Sequence, residues 1–259
     1  MLLKIGHLRK HVRLVSLVGK PTAGKGVKSK ALAAMGGEFG ISQITTSEMI
    51  RWNIQNGTEL GAEFEKHRTG MNSRKLVPCE LILPGLADAI DRAHKQGAQT
   101  IIIDGSPRSE MQAKALVNCR LDFELFELDI SDEEAVRRTA RRSEYEPRED
   151  DSKILEGLKT FKFETVPGIR FTKKAGCYNR IDGTQPMRSQ LAQILRKLNF
   201  RPHQFKKMMS RLDEVDHAAR IILDEVEGRR KRQEKPAFQQ APFWRGMPVP
   251  QTATASAPA

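Results

Sequence analysis

Short apolar runs alternate along the chain with longer segments of helical spacing. The runs Arg13–Gly19 and Thr100–Asp104 are continuously apolar and rich in β-branched residues, which is typical of strands buried on both faces. Weaker patterns predict three further strands, at Gly40–Thr45, Phe123–Ile130 and Cys177–Ile181. The chain therefore has enough strand segments for a five-stranded sheet.

Helical patterns separate these predicted strands. We expect a helix over about Gly24–Met35, helix-favouring polar sequence over Ser47–Gly70, and an amphipathic helix within Pro78–Gly97. Helices between strands make crossover connections, so the strands should run mostly parallel. The pattern predicts an α/β fold, a three-layer sandwich with a central, mostly parallel sheet.

Beyond about Phe200 the apolar residues recur at alternating intervals of three and four, which predicts a heptad-patterned helix over 201–235. Two interpretations stay open: a helix appended to the body, or self-association as a coiled-coil dimer. Residues 236–259 are rich in Pro, Ala and Gln, and we expect them to be disordered. We call the recurring apolar residues of the segment 201–235 the stripe: Phe205, Met208, Leu212, Val215, Ala219, Ile222 and Val226.

Composition narrows the class of protein. At 259 residues, with 39% hydrophobic and 29% charged residues, the chain reads as a soluble protein with one main domain. No apolar run approaches the ~20 residues that a membrane span needs, and no secretory signal is visible at the start. Three widely spaced cysteines, Cys79, Cys119 and Cys177, should be reduced and mostly buried in a cytoplasmic protein.

The net charge of +12 is concentrated at the two ends of the chain. Residues 14–195 carry 27 basic and 25 acidic side chains, whereas the extension 1–12 and the segment 196–235 are basic. A basic nucleic-acid-binding face across the fold is therefore not indicated, and neither nucleic acid nor membrane is an expected partner.

The clearest candidate chemistry lies in Gly19–Val27, between a predicted strand and a predicted helix. Its spacing is G-x-x-x-x-G-K, although Gly26 follows Lys25 where a serine or threonine is usual. In such a loop, backbone N–H groups and the helix N-terminus converge on phosphate oxygens, and the lysine adds a mobile cation. The segment predicts a P-loop that binds nucleotide phosphates.

The Gly-Lys-Gly ending resembles the phosphate loop of adenylate kinases and related nucleoside monophosphate kinases. The resemblance spans about residues 13–198 and continues in order along the chain. The matching segments are Thr46–Arg51, Lys75–Pro78, Asp104–Arg108 followed by Gln112 and Ala113, Arg138 with Arg142, Arg148–Asp151, and Asp182–Pro186.

This resemblance implies a kinase-like domain over 13–200, with an acceptor-binding insert at about 45–78 and a short lid at about 138–151. The implied catalytic residues are Lys25, Arg108, Arg142 and Arg148. The implied donor-nucleotide residues are Gly19, Thr22, Ala23, Gly24, Lys25, Gly26, Val27, Arg138, Arg142 and Gln185. The implied acceptor residues are Thr46, Arg51, Lys75, Leu76, Val77, Gly105, Ser106, Pro107, Arg108, Gln112 and Arg148.

The function that the resemblance implies is phosphoryl transfer from ATP·Mg²⁺ to AMP, giving two ADP. Asp104 would orient Mg²⁺ through water, and Gln112 would favour adenine as the acceptor base. Convergent arginines suit this chemistry because guanidinium groups grip phosphate oxygens and stay charged.

Four departures from the family pattern leave alternatives open. Gly157 stands where a second lid arginine is expected, Ser106 replaces a phenylalanine, Val27 replaces a threonine, and Glu48 replaces an aspartate. One alternative is a pyrimidine or broad-specificity monophosphate kinase. The other is a weakly catalytic nucleotide-binding protein that acts as an assembly subunit.

Overall fold

The computed structural model describes Ile5, Leu8 and residues 12–67, 77–144 and 151–214. Within this part of the chain, none of the helices is both long and apolar enough to cross a bilayer.

A five-stranded sheet forms the middle of the molecule, in the order β2-β3-β1-β4-β5, and every pairing in it is parallel. The central strand β1 pairs with β3 on one side and β4 on the other, so its carboxyl end opens between two crossovers. The strands are β1 Arg13–Val18, β2 Ile41–Thr45, β3 Thr100–Asp104, β4 Asp122–Asp129 and β5 Tyr178–Asp182.

Helices cover both faces of this sheet. The α-helices are α1 Lys25–Gly36, α2 Thr46–Gln55, α3 Glu59–Lys66, α4 Cys79–Lys95, α5 Glu110–Asn118, α6 Asp132–Ser143, α7 Ile154–Thr160, α8 Val166–Lys174 and α9 Met187–Lys197. Short 3-10 turns lie at Gly37–Phe39 and Asp151–Lys153, and a π-turn at Phe161–Thr165 joins α7 to α8. Residues 202–214 are helical as well.

The predicted α/β class and parallel sheet are confirmed, and the predicted strands lie within a residue or two of the observed ones. In the helix-favouring sequence predicted over Ser47–Gly70, the described residues form two helices, α2 and α3. Gly57 adopts a left-handed φ of 61°, and Thr58 then caps α3 by accepting the backbone N–H of Gly61. A left-handed residue followed by an N-cap ends one helix and starts the next.

The prediction that the three cysteines are reduced and mostly buried is corrected in part. All three are free thiols, as expected, but only Cys119 is buried, while Cys79 and Cys177 are half-buried.

Alternate residues of the central strands point into two separate apolar layers. Leu14 of β1 packs in the layer under α4 and α5, whereas Val15 and Leu17 pack in the layer under α1 and α9. Because both faces are covered, the central strands β1 and β3 are almost continuously apolar, and polar chemistry is left mainly to the ends of the strands.

The helical residues 202–214 pack against α1 and α9. Met208 and Leu212, which belong to the predicted stripe, are buried in the second apolar layer. Arg211 donates to the carbonyl of Met35 at 3.0 Å and pairs with Glu38 at 2.6 Å. The stripe positions after residue 214 lie outside the described residues.

Candidate active site

The loop between β1 and α1 takes backbone conformations that depend on glycine. Gly24 has a φ of 85° and Gly19 a φ of 153°. A Cβ at Gly19 would lie 2.6 Å from the carbonyl oxygen of Leu128 in β4. Thr22 is also left-handed, at 60°, and its hydroxyl donates to the carbonyl of Ala135 in α6 at 2.9 Å. The loop is thus fixed against the neighbouring strand and helix.

Lys25 folds back over this loop. Its Nζ donates to the carbonyl oxygens of Gly19 and Lys20, each at 2.8 Å. Burial lowers the pKa of Lys25 to about 8, and the positive charge of Arg108 adds to this effect, while Asp104 opposes it. The ammonium group is therefore held where water solvates it poorly, close to the N-terminus of α1.

Lys28 is a second cation beside this loop, and it is not among the residues predicted from the sequence. It is 5% exposed, and its Nζ donates to the carbonyl of Ala23 at 3.2 Å. Burial, followed by the charge of Arg138, lowers its pKa to about 8. Its spacing of three residues from Lys25, which places both on one helix face, was the available signal.

Asp104 ends β3 beside the phosphate loop. Burial raises the pKa of its carboxyl group, and the charges of Lys25 and Arg108 oppose that shift. The hydroxyl of Ser29 lies 3.4 Å from Asp104 Oδ2 and accepts a hydrogen bond from Gln43 Nε2 at 2.8 Å. Asp104, Ser29 and Gln43 therefore link the end of β3 to α1 and β2.

The residues around Asp104 fit a magnesium ion. No group of three or more metal-ligating side chains occurs in the described part of the chain. Mg²⁺ is commonly held by one or two carboxylates, with phosphates and water as its other ligands, and a single carboxylate beside a phosphate loop satisfies that pattern. Val27, which is 61% exposed, contributes no hydroxyl there.

The segment after Asp104 packs tightly against α2. Gly105 has a φ of 92°, and a Cβ there would lie 2.9 Å from Thr46 Oγ1. Thr46 Oγ1 in turn donates to the carbonyl of Asp104 at 3.3 Å. The exposed side chain of Arg108 is held through Nε, which donates to the carbonyl of Gly105 at 3.1 Å.

A buried network continues from this segment. Ser106 donates its hydroxyl to Gln112 Oε1 at 3.0 Å, and its carbonyl accepts from the hydroxyl of Ser16 in β1. Gln112 Oε1 also accepts the backbone N–H of Arg108 at 2.7 Å. Pro107, between them, is buried. We call the hydrogen-bonded set Ser16, Ser106 and Gln112 the acceptor-side floor.

The two predicted arginines of α6 make separate ion pairs. Arg138 pairs with Glu134 at 2.5 Å and donates to the carbonyl of Gly183 at 2.9 Å. Arg142 pairs with Asp151, yet its buried Nε has no hydrogen-bond partner among the described residues. Arg138 is thereby tied to the loop after β5, and Arg142 to Asp151 at the end of the predicted lid.

The structure brings most of the predicted residues to one edge of the sheet, but not all. Arg51 is exposed on α2, and the side chain of Gln185 accepts from Gln193 at 2.8 Å. The contacts described do not join either residue to the phosphate loop. Val77 is half-buried ahead of α4 and packs on the core. Lys75, Leu76 and Arg148 lie outside the described residues.

Comparison with known proteins identifies the family. The family model described as adenylate kinase matches residues 17–177. An adenylate kinase of Leptospira biflexa is 34% identical over 188 residues, covering 70% of this chain and 97% of its own length. One of Thermobifida fusca is 32% identical over 181 residues, covering 67% and 91%. One of Mycobacterium ulcerans is 36% identical over 162 residues, covering 61% and 84%.

Proposed function

The chain belongs to the adenylate kinase family, and from this premise we propose that it transfers the γ-phosphoryl group of ATP to AMP, giving two molecules of ADP. The observation that carries the proposal is the placement of Lys25, Asp104 and Arg108 within electrostatic reach of one another at the carboxyl edge of the sheet. Ligands of parallel α/β sheets bind at this edge, where the strand order reverses.

The donor nucleotide would occupy the phosphate-loop side. Backbone N–H groups of the loop and the N-terminus of α1 face the phosphates, and Lys25 and Lys28 supply two further cations. Arg138 and Arg142 approach from α6. The ammonium groups of Lys25 and Lys28 have lowered pKa values, so an incoming anion would restore the charge stabilisation that burial removes.

The acceptor nucleotide would lie over α2 and the segment after β3. Arg51 and Arg108 would hold its phosphate, Thr46 and Gly105 would shape the surface beneath it, and Gln112 would contact its base. We extend the same acceptor role to Arg148, Lys75 and Leu76 by their place in the family's motifs.

Catalysis would come from positioning and from charge. The transfer draws the negative charge of two phosphate chains into one cleft, so donors fixed in advance lower the barrier without reorganising. Lys25 would follow the transferred group, and Arg108 would hold the attacking oxygen in line with it. Mg²⁺, when bound, supplies further charge neutralisation between phosphate oxygens, and Asp104 would orient its water ligands.

An assay of the full chain tests the proposal. A coupled assay with ATP and AMP, CMP, UMP or GMP measures turnover and base choice together. Arg108→Met should lower kcat/KM by at least a hundredfold, because a charged donor of the transition state is lost. Arg170→Met, an exposed arginine on α8, is the matched control and should keep wild-type turnover. Equal rates in the two variants would contradict the proposed role.

A slower chain with the same fold is a second candidate, favoured by Gly157. This residue is buried within α7 and provides no side chain where the family pattern has an arginine. The nearby Lys153 and Lys159 are exposed cations that could replace it only as point charges. ATP binding measured by calorimetry beside turnover separates the two candidates. Gly157→Arg should raise turnover in the slow chain and leave ATP affinity unchanged.

A cytoplasmic setting is part of the proposal, supported by three cysteines that form no disulfide. Self-association through 201–235 is a further proposal. It concerns residues beyond 214, because Met208 and Leu212 are already buried within the chain.

A further inference from the structure

The carbonyl oxygen of Gln112 is fully used by the protein itself. Gln112 is 3% exposed and lies in the first turn of α5. Its Oε1 accepts one hydrogen bond from the backbone N–H of Arg108, at 2.7 Å, and a second from the hydroxyl of Ser106, at 3.0 Å. An amide oxygen has two lone pairs, so both are occupied.

The orientation of this amide follows from its partners. A backbone N–H can only donate, so the atom that faces Arg108 N must be the oxygen, and Nε2 must face the opposite way. The Ser106 proton is directed at the same oxygen. Among the described residues, Nε2 has no hydrogen-bond partner within the protein.

Ser106 itself is fixed on both sides. It is 1% exposed, and its carbonyl accepts the hydroxyl of Ser16 from the central strand. Gly105, directly before it, is held in a left-handed conformation against Thr46. These contacts fix the backbone of Ser106. Its buried hydroxyl keeps its place through the bond to Gln112 Oε1, and the amide keeps one orientation.

We propose that Ser106 makes Gln112 a donor-only reader of the acceptor base, a role that rests on the proposed function, in which that base lies against Gln112. The amide offers its Nε2–H groups and has no lone pair left to accept from an exocyclic amino group. It reads an unprotonated ring nitrogen, such as N1 of adenine, and does not read the 6-amino group. The substrate class is nucleoside monophosphates with such a ring nitrogen, with or without the neighbouring amine.

Three acceptors test this inference on the full wild-type chain. Purine ribonucleoside 5′-monophosphate keeps ring N1 but has no 6-amino group, and its kcat/KM should lie within about threefold of that for AMP. The 1-deaza analogue of AMP has the amine but no ring acceptor, and it should react about tenfold more slowly than AMP. That factor corresponds to one neutral hydrogen bond.

Ser106→Ala then reverses the pattern. It frees one lone pair of Gln112 Oε1, so the 6-amino group gains an acceptor, and AMP should become preferred over the purine analogue by about tenfold. Ser16→Ala is the matched control, because it deletes a hydroxyl from the same network without touching Gln112. It should lower Tm and leave the AMP-to-purine ratio at its wild-type value.

Several results would overturn the inference. These are a wild-type preference of tenfold or more for AMP over the purine analogue, full activity with the 1-deaza analogue, an unchanged ratio in Ser106→Ala, or an equal change in Ser16→Ala. The wild-type comparisons decide even if Ser106→Ala does not fold. Failure to phosphorylate any of these nucleotides would instead contradict the proposed function, and the two failures are distinguishable.

Discussion

The phosphate loop and the acceptor-side floor meet at the end of β3, yet they hold their polar groups in opposite ways. In the loop, Lys25 and Lys28 donate to backbone carbonyls, and burial lowers the pKa of both to about 8. In the floor, the neutral side chains of Ser16, Ser106 and Gln112 are buried and hydrogen-bonded to partners that fix their orientation.

This difference agrees with what each region would bind in the proposed function. A region that receives phosphates gains most when its cations are poorly solvated beforehand, because the incoming anion then supplies the missing stabilisation. A region that reads a base needs donors and acceptors in one fixed arrangement, which neutral groups provide without a large desolvation cost. The loop should therefore lower the stability of the ligand-free fold, whereas the floor should raise it.

The largest expected effect is at Lys25. Lys25→Met should lower kcat/KM by about a thousandfold, because a cation that stabilises the transition state is lost. The free energy of unfolding at pH 7 should rise, since a buried charge with a lowered pKa is removed. Turnover and chemical denaturation measure the two quantities. Lys30 is an exposed lysine on the same helix, and Lys30→Met should change neither kcat/KM nor the free energy of unfolding. A lower free energy of unfolding in Lys25→Met would contradict the comparison of the two regions.

The next effect is at Lys28, and it should separate the two nucleotides. Lys28→Met should raise KM for ATP by about tenfold and leave KM for AMP unchanged, because the lost charge-assisted hydrogen bond lies on the donor side. Steady-state kinetics with each substrate varied in turn measures both constants. Lys28→Arg keeps the charge and should recover part of the affinity. An equal rise in both KM values would assign Lys28 a merely structural role.

The pH dependence should run in opposite directions for binding and for stability. ATP binding needs protonated lysines, so its affinity should fall by up to about tenfold between pH 8 and pH 9 for each proton taken up. The unfolded chain keeps these protons up to its ordinary pKa near 10.5. It then binds more protons than the folded chain, so the free energy of unfolding of ligand-free protein should rise from about pH 8 upward.

Calorimetry in buffers of different ionisation enthalpy measures the proton uptake, and denaturation curves at each pH measure the stability. Lys28→Met, which leaves Lys25 as the remaining titrating lysine, should reduce the pH slope of both. If the free energy of unfolding falls between pH 8 and pH 10, burial does not destabilise the charged forms of Lys25 and Lys28.

The smallest effect is expected at Ser29, which links α1 to Asp104 at the end of β3 and to Gln43 in β2. Ser29→Ala should lower the free energy of unfolding by about 1 kcal/mol, since buried hydrogen bonds are lost. Turnover should stay within about threefold of wild type. The pKa of Asp104 should rise further, because the Ser29 hydrogen bond lowers it. Carboxyl titration by NMR tests this shift. An unchanged pKa of Asp104 in Ser29→Ala would show that Ser29 does not influence this carboxyl group.

Much of the fold could be predicted from local pattern. The continuous apolar runs at Arg13–Gly19 and Thr100–Asp104 correspond to strands β1 and β3, because strands buried on both faces leave no polar alternation. The phosphate loop was also visible, since its glycine spacing and its place between strand and helix are local features. The break at Gly57 was missed, because helix-favouring composition continues on both sides of it.

The sequence by itself determined the five strands, that helices separate them, that the strands run parallel, and that a phosphate loop follows the first strand. Only the tertiary structure decided the strand order β2-β3-β1-β4-β5, the fold-back of Lys28 over Ala23, and the bond between Ser16 and Ser106. The physical reason is the separation along the chain over which each kind of interaction acts. Periodicity and backbone preference act over a few residues, whereas a contact across 90 residues exists only once β1 and β3 lie side by side in register.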